Sequence, residues 1–226
     1  FNNHFTLHNS TYYVYGNAPR FAMRFYGFPY FLANMPDAMV GDSTLFASDM
    51  LVSYRLRQHN FGNITSANLR LGALQLDMGT HIQAFRADHF MEILEANPFP
   101  TGYGSGQVAY FNTGFKNEWS TFAKATYTVT PKLTVFGDMQ WRISTFRYKA
   151  QDKAIFRDTN KVENMQWMFL NPKMGMRYVL HDDIWMYGSL GLVQREPTRF
   201  DYLLDDRALV DVKQSDIKPE ALTNIE

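Results

Sequence analysis

The stretch from Lys116 to Tyr148, KNEWSTFAKATYTVTPKLTVFGDMQWRISTFRY, is two long alternating runs joined by the polar corner Thr130-Pro131-Lys132. Trp119, Thr121, Ala123, Ala125, Tyr127 and Val129 hold the odd positions of the first run, and Leu133, Val135, Gly137, Met139, Trp141 and Ile143 those of the second. The even positions are mostly polar. They include Glu118, Ser120, Lys124 and Thr126, then Thr134, Asp138, Gln140, Arg142 and Ser144. A period of two sends successive side chains to opposite faces of a strand, so the stretch predicts a hairpin with one apolar and one polar face. Its arms exceed twice the usual strand length of about 5 to 6 residues.

Strands of that length suggest something thick to cross. Trp119 to Tyr127 is eight steps, roughly 27 Å at about 3.4 Å per residue. Tilted by about 40°, this projects to roughly 21 Å, near the apolar band of about 25 Å on outer-membrane barrels. The two rings then fall at opposite interfaces, where a wet edge and an apolar body are both satisfied.

Composition agrees with alternation. The 226 residues are 46% hydrophobic and 16% aromatic, yet mean hydropathy is −0.32, as when apolar and polar residues interleave. No stretch supplies the roughly 20 apolar residues of a membrane helix, so a membrane reading requires a closed barrel. Lys plus Arg and Asp plus Glu are 22 each, which removes the charge excess of a nucleic-acid binder. The absence of cysteine excludes disulfides and thiolate metal sites. Phe1-Asn2-Asn3 resembles no secretory leader, and the expectation is an internal portion of a longer chain or a processed one.

Similar runs flank the hairpin, at residues 5–15, 43–57, 74–86, 166–180 and 184–193, with a further strand beginning near Glu220. The predicted gaps, at 16–42, 58–67, 87–115, 130–132, 149–164, 181–183 and 196–219, alternate long and short. That rhythm predicts an all-β, up-and-down antiparallel transmembrane barrel with short turns on the periplasmic side and long loops outside. Pro172 conflicts with an interior strand position and predicts a bulge or a strand end. Gly79 and Gly175 predict a bend or a close backbone approach.

Residues 171–202 begin with Asn171-Pro172-Lys173-Met174-Gly175, continue through Tyr187-Gly188-Ser189, and end with Arg195-Glu196-Pro197-Thr198-Arg199-Phe200-Asp201-Tyr202. Lys218-Pro219-Glu220 follows. In order and spacing these segments resemble the barrel of TonB-dependent outer-membrane receptors, most of all the type common in Bacteroidetes. The resemblance implies that residues 1–226 are seven or eight strands of a larger barrel of about 22, with the plug domain and C-terminal strands absent. It further implies a receptor in the bacterial outer membrane that binds a scarce nutrient (ferric siderophore, vitamin, glycan or peptide) and imports it with TonB-transmitted energy. The implied partners are the lipid bilayer, TonB with its proton-driven inner-membrane partners acting through the plug, a surface lipoprotein, and a small or oligomeric ligand. Nucleic acid is not among them. The alternatives are a small complete outer-membrane barrel with an enzymatic or anchoring role, and a soluble ligand-binding barrel with its apolar face inward.

No catalytic constellation emerges, and no enzyme is expected. Gly102-Tyr103-Gly104-Ser105-Gly106 lacks the Gly-x-Ser-x-Gly order and a following helix. Asp77 and His81 share a strand face but stand roughly 13 Å apart, too far for one metal ion. No cofactor is expected, and the loop 200–217 has no histidine for haem. Ligand contacts are expected from the ring-dense segment holding Tyr26, Phe28, Tyr30 and Phe31, and from Arg86 and His89. A structural role is expected for Asn171, Pro172, Arg195, Glu196, Pro197, Arg199, Tyr202, Pro219 and Glu220, and for the polar-face charges Lys124, Asp138, Arg142, Lys173 and Arg177.

Overall fold

A computed structural model describes residues 4–150, 164–198 and 218–226. Eight strands form one antiparallel sheet: β1 (Phe5–Pro29), β4 (Ala47–Leu71), β5 (Leu74–Asn97), β6 (Gln107–Thr130), β7 (Leu133–Ala150), β8 (Met165–His181), β9 (Ile184–Arg195) and β10 (Glu220–Ile225). A separate small hairpin, β2 (Ala38–Val40) with β3 (Ser43–Leu45), lies between β1 and β4. The hairpin expected around Thr130-Pro131-Lys132 is β6–β7, with Trp119 opposite Ile143 and Ala125 opposite Gly137.

The sheet is open, which corrects the barrel expectation. Spatial order follows the chain from β1 to β10, and these two strands are its edges. Alternation reveals that a strand has two unlike faces but not whether the last strand returns to the first. Closure depends on strand number, tilt and stagger together. With no closed wall in this sheet, the expectations built on one are withdrawn. These are membership of the TonB-dependent receptors, the transmembrane barrel, energised import, the smaller complete barrel, the outer-membrane location, and the bilayer, TonB and lipoprotein as partners.

Several expected gaps are strand instead. Residues 58–67 run unbroken through β4, and the tight turn lies beyond them, between β4 and β5, where Gly72 takes a φ of 58°. Polar side chains misled the reading there, because they bond across strands. Asn63 Nδ2 donates to Thr11 Oγ1 at 2.7 Å, and Asn9 Nδ2 to Thr65 Oγ1 at 2.6 Å. Likewise β1 continues to Pro29, β5 to Asn97, and β6 starts at Gln107. The three tight corners share one end of the sheet and touch: Thr128 N donates to Ala73 O, and Val179 N to Lys132 O.

At the other end the connection between β1 and β2 folds over the strand ends. Phe28 at the end of β1 and Tyr30, Ala33 and Met35 from the β1–β2 connection pack with Met50, Val52, Met91, Ile93, Ala109 and Tyr110 in a small core. Along the strands, polar positions are the better covered ones. Ser120 and Ser144 are buried, while Trp119, Met139 and Trp141 on the opposite face are exposed.

Gly79 and Gly175 are close approaches, as expected. A Cβ on Gly175 would lie 2.6 Å from Gly188 O and 2.7 Å from the ring of Phe136, its cross-strand neighbour. On Gly79 it would lie 2.7 Å from Thr65 O and 2.8 Å from the Phe122 ring. In both places a phenyl ring covers the bare backbone of the adjacent strand.

Candidate functional site at the fork between strands β8 and β9

Pro172 sits where the sheet divides. Pairing of β8 with β9 runs from His181 and Ile184 to Lys173 and Gly191, and stops there. Residues 165–172 keep their pairing with β7, whereas residues 192–195 pair with β10. The expected bulge or strand end is not found: Pro172 lies inside β8, in unbroken register with Met139 of β7, and it is the pairing with β9 that ends beside it, where a residue without an N–H cannot continue a ladder. Side chains take over the bonds lost at the fork. Gln194 N donates to Asn171 Oδ1 at 2.8 Å, and Asn171 Nδ2 donates to Gln140 Oε1 at 3.1 Å.

Beyond β9 the chain places Glu196 among β6 and β7 side chains. Its carboxylate accepts from Lys116 Nζ and, at 2.7 Å, from Arg142 Nη2. Glu118 Oε2 lies 3.7 Å from the same lysine and 3.8 Å from Arg142 Nη1. Burial opposes ionisation of Glu196, but the Lys116 hydrogen bond, a backbone hydrogen bond and the nearby cations outweigh it, holding its pKa below the ordinary value. The Arg142 guanidinium also lies 4.9 Å from the ring centre of Phe169, which is buried with Met165 and Trp167 on the same face. Arg195 pairs with Glu220, Nε to Oε2, at 2.6 Å.

These groups border a cavity of about 380 Å³ lined by Lys116, Arg142, Ser144, Phe146, Trp167, Arg195, Glu196, Pro197 and Thr198. Ser144 is wholly buried. Its hydroxyl and the Arg142 Nε–H have no hydrogen-bond partner among the described residues.

Of the motif residues, Asn171, Pro172, Arg195, Glu196 and Pro197 therefore meet at the fork. Glu220 joins them through Arg195, and Pro219 precedes β10 on the exposed edge. Arg199 and Tyr202 lie outside the described residues. Sequence reasoning missed Lys116, Glu118, Ser144, Phe146 and Trp167. The hairpin register held a signal for the first four, since it sets Lys116 opposite Phe146 and Glu118 opposite Ser144. Of the polar-face charges, Lys124, Asp138 and Lys173 stand in one row across β6, β7 and β8.

The expected ligand-contact residues lie elsewhere, on the β1–β5 side. Phe28 and Tyr30 are in the small core, and the Tyr30 hydroxyl donates to Pro98 O at 2.6 Å. Tyr26 and Phe31 are exposed. Arg86 Nε donates to Asp88 Oδ1 at 3.1 Å, while His89 alternates to the opposite face of β5. Asp88 also accepts from Thr113 at 2.9 Å and from Arg57 at 3.2 Å. Among the described residues no group of three His, Cys, Asp or Glu side chains is placed to hold a metal ion.

No protein-family model matches the chain, and no curated protein matches it. Six chains of solved structures do. One is the copper transporter OprC, superposing with a TM-score of 0.63 at 13% identity over 97% of this chain and 33% of that one. At that identity the likeness concerns the fold alone, and this chain spans about a third of the length of that structure.

Proposed function

We propose that this chain acts by binding and not by catalysis, with a small ligand entering the recess between β8 and β9. The observation that carries the reading is the cavity of about 380 Å³ with Phe146, Trp167 and Pro197 as walls and Lys116, Arg142, Ser144 and Glu196 as its polar groups. A concave apolar wall with a few placed polar groups is the usual construction of a small-molecule site.

The chemistry of the recess supports binding over turnover. A nucleophile requires an adjacent base, and the Ser144 hydroxyl has no partner among the described residues. A pair of catalytic carboxylates requires environments that push their pKa values apart, with one raised toward neutrality. Glu118 and Glu196 instead share the same two cations, and Glu196 is shifted downward.

The test is ligand-observed NMR with a set of ring-bearing fragments, run against the chain and against Trp167→Ala. Fragments should bind the parent chain and lose binding in the variant. Equal binding to both proteins, or no binding to the parent, would overturn the proposal.

A further inference from the structure

We infer that a second cavity, on the polar face where β8 and β9 part, takes a small zwitterion of the α-amino-acid type. It shares no lining residue with the recess proposed above and does not depend on it. Its volume is about 360 Å³, and Asp138, Gln140 and Lys173 line it together with Phe122 and Val193. It lies where the pairing of β8 with β9 ends, at Lys173 and Gly191.

The charges here stand apart, unlike those around Glu196. Asp138 is in register between Lys124 of β6 and Lys173 of β8, yet its carboxylate has no ion pair or hydrogen bond among the described residues. Both lysines lean elsewhere. Lys124 Nζ lies 5.4 Å from the ring centre of Phe136. Lys173 lays its stem over the bare backbone of Gly191, where a Cβ would meet its Cγ at 3.4 Å, and its charge acts on Glu226 just past β10. That lean opens room between two opposite charges that an ordinary cross-strand pair would close.

These groups are within reach of a ligand. Asp138, Gln140 and Lys173 are half-buried, and none of their polar atoms is sealed in the interior without a partner. Gln140 Oε1 accepts from Asn171, which leaves the Nε2 hydrogens as donors. A simple cation would satisfy Asp138 but meet Lys173, and a simple anion would satisfy Lys173 but meet Asp138. A zwitterion satisfies both: its ammonium donates to Asp138, and its carboxylate accepts from Lys173 Nζ and Gln140 Nε2. Facing Cα atoms in an antiparallel pair are only about 4.5–5.5 Å apart, so the charged ends lie across a span that an α-amino acid can bridge. Phe122 and Val193 offer apolar surface to its side chain.

Leucine, N-acetylleucine and leucinamide form the test set, titrated into the chain by calorimetry and ligand-observed NMR. Leucine carries both charges, and each of the others lacks one. Leucine should bind at least about fivefold tighter than either. Asp138→Asn and Lys173→Met should each weaken leucine roughly tenfold, the value of a charged hydrogen bond. Because Asp138 holds no bond within the fold, Asp138→Asn should melt with the parent, so its effect on leucine reads binding. Trp167→Ala should leave leucine affinity unchanged. No leucine binding to the parent, equal affinity for all three compounds, or leucine affinity unmoved by Asp138→Asn overturns the inference and leaves the recess of the proposed function untouched. Loss of leucine binding in Trp167→Ala but not in Asp138→Asn would place leucine in that recess and overturn the second site.

Discussion

Thr113 donates its hydroxyl to Asp88 Oδ1 at 2.9 Å, and both side chains are buried in the middle of the sheet. Asp88 stands in register with Arg57 on one side and Thr113 on the other. Burial works against its charge, and hydrogen bonds from Thr113, Arg86 and Arg57 outweigh that penalty, holding the carboxyl below its ordinary value of 3.8. A carboxyl depressed on folding contributes stability above its unfolded pKa and loses it as pH falls through the folded one. Thr113→Val should therefore cost about 1–3 kcal/mol near neutrality and move the acid-unfolding limb to higher pH. Urea unfolding from pH 7 down to pH 3 would show both effects.

Removing the carboxylate tests the same cluster from the other side. Arg57 and Arg86 keep 39% and 49% of their side-chain exposure, so water can replace Asp88 around them. Asp88→Asn should cost less than the roughly 3–5 kcal/mol of a fully buried broken pair, and it should flatten the fall in stability as pH drops from 5 to 3 relative to the parent, because the depressed Asp88 carboxyl no longer contributes to it. An unchanged pH slope would remove Asp88 from the account.

At the fork, Arg142 and Glu196 should be energetically coupled. Their side chains are 18% and 16% exposed with a 2.7 Å contact, unlike a loose surface pair. A double-mutant cycle with Arg142→Ala and Glu196→Ala should return a coupling of about 1–3 kcal/mol. A value near zero would mean the segment after β9 is not held to β7 by this contact.

Glycines within one sheet should respond in opposite ways. Gly175→Ala should destabilise by roughly 1–3 kcal/mol through overpacking. Adding Phe136→Leu should recover only part of this, because Gly188 O remains 2.6 Å from the new methyl. A Cβ on Gly137 meets nothing within 4 Å, so Gly137→Ala should be neutral or stabilising by up to about 1 kcal/mol. Thermal unfolding of the three variants settles the comparison.

Two halves of the ring-dense segment should separate under mutation. Tyr30 is fully buried and Tyr26 is 79% exposed. Tyr30→Ala should cost about 3–5 kcal/mol, and Tyr26→Ala should stay within about 0.5 kcal/mol of the parent. Chemical denaturation distinguishes a core role from a surface one.

Much of this fold was legible in alternation. The β6–β7 hairpin follows from Trp119, Ala125, Val135 and Met139 sharing one parity, whereas Pro172 suggested a bulge or a strand end and instead lies inside β8, in register with β7, beside the point where the pairing with β9 stops. Strand extent was less legible at residues 58–67, where Asn63 and Thr65 look like loop residues until a facing strand offers Asn9 and Thr11. The recess was barely legible. Ser144 and Trp167 belong to strands whose polar face is ordinary until Glu196 arrives from beyond β9.

What the chain's own order of residues determined was the alternating core of each long strand and its two unlike faces, because side-chain direction alternates with every residue whatever the neighbours do. Tertiary structure alone decided that β1 and β10 stay apart as edges, and that Glu196 reaches Lys116 and Arg142. Sheet closure and long-range ion pairs depend on tilt, stagger and register summed over many strands, and no local pattern carries that sum.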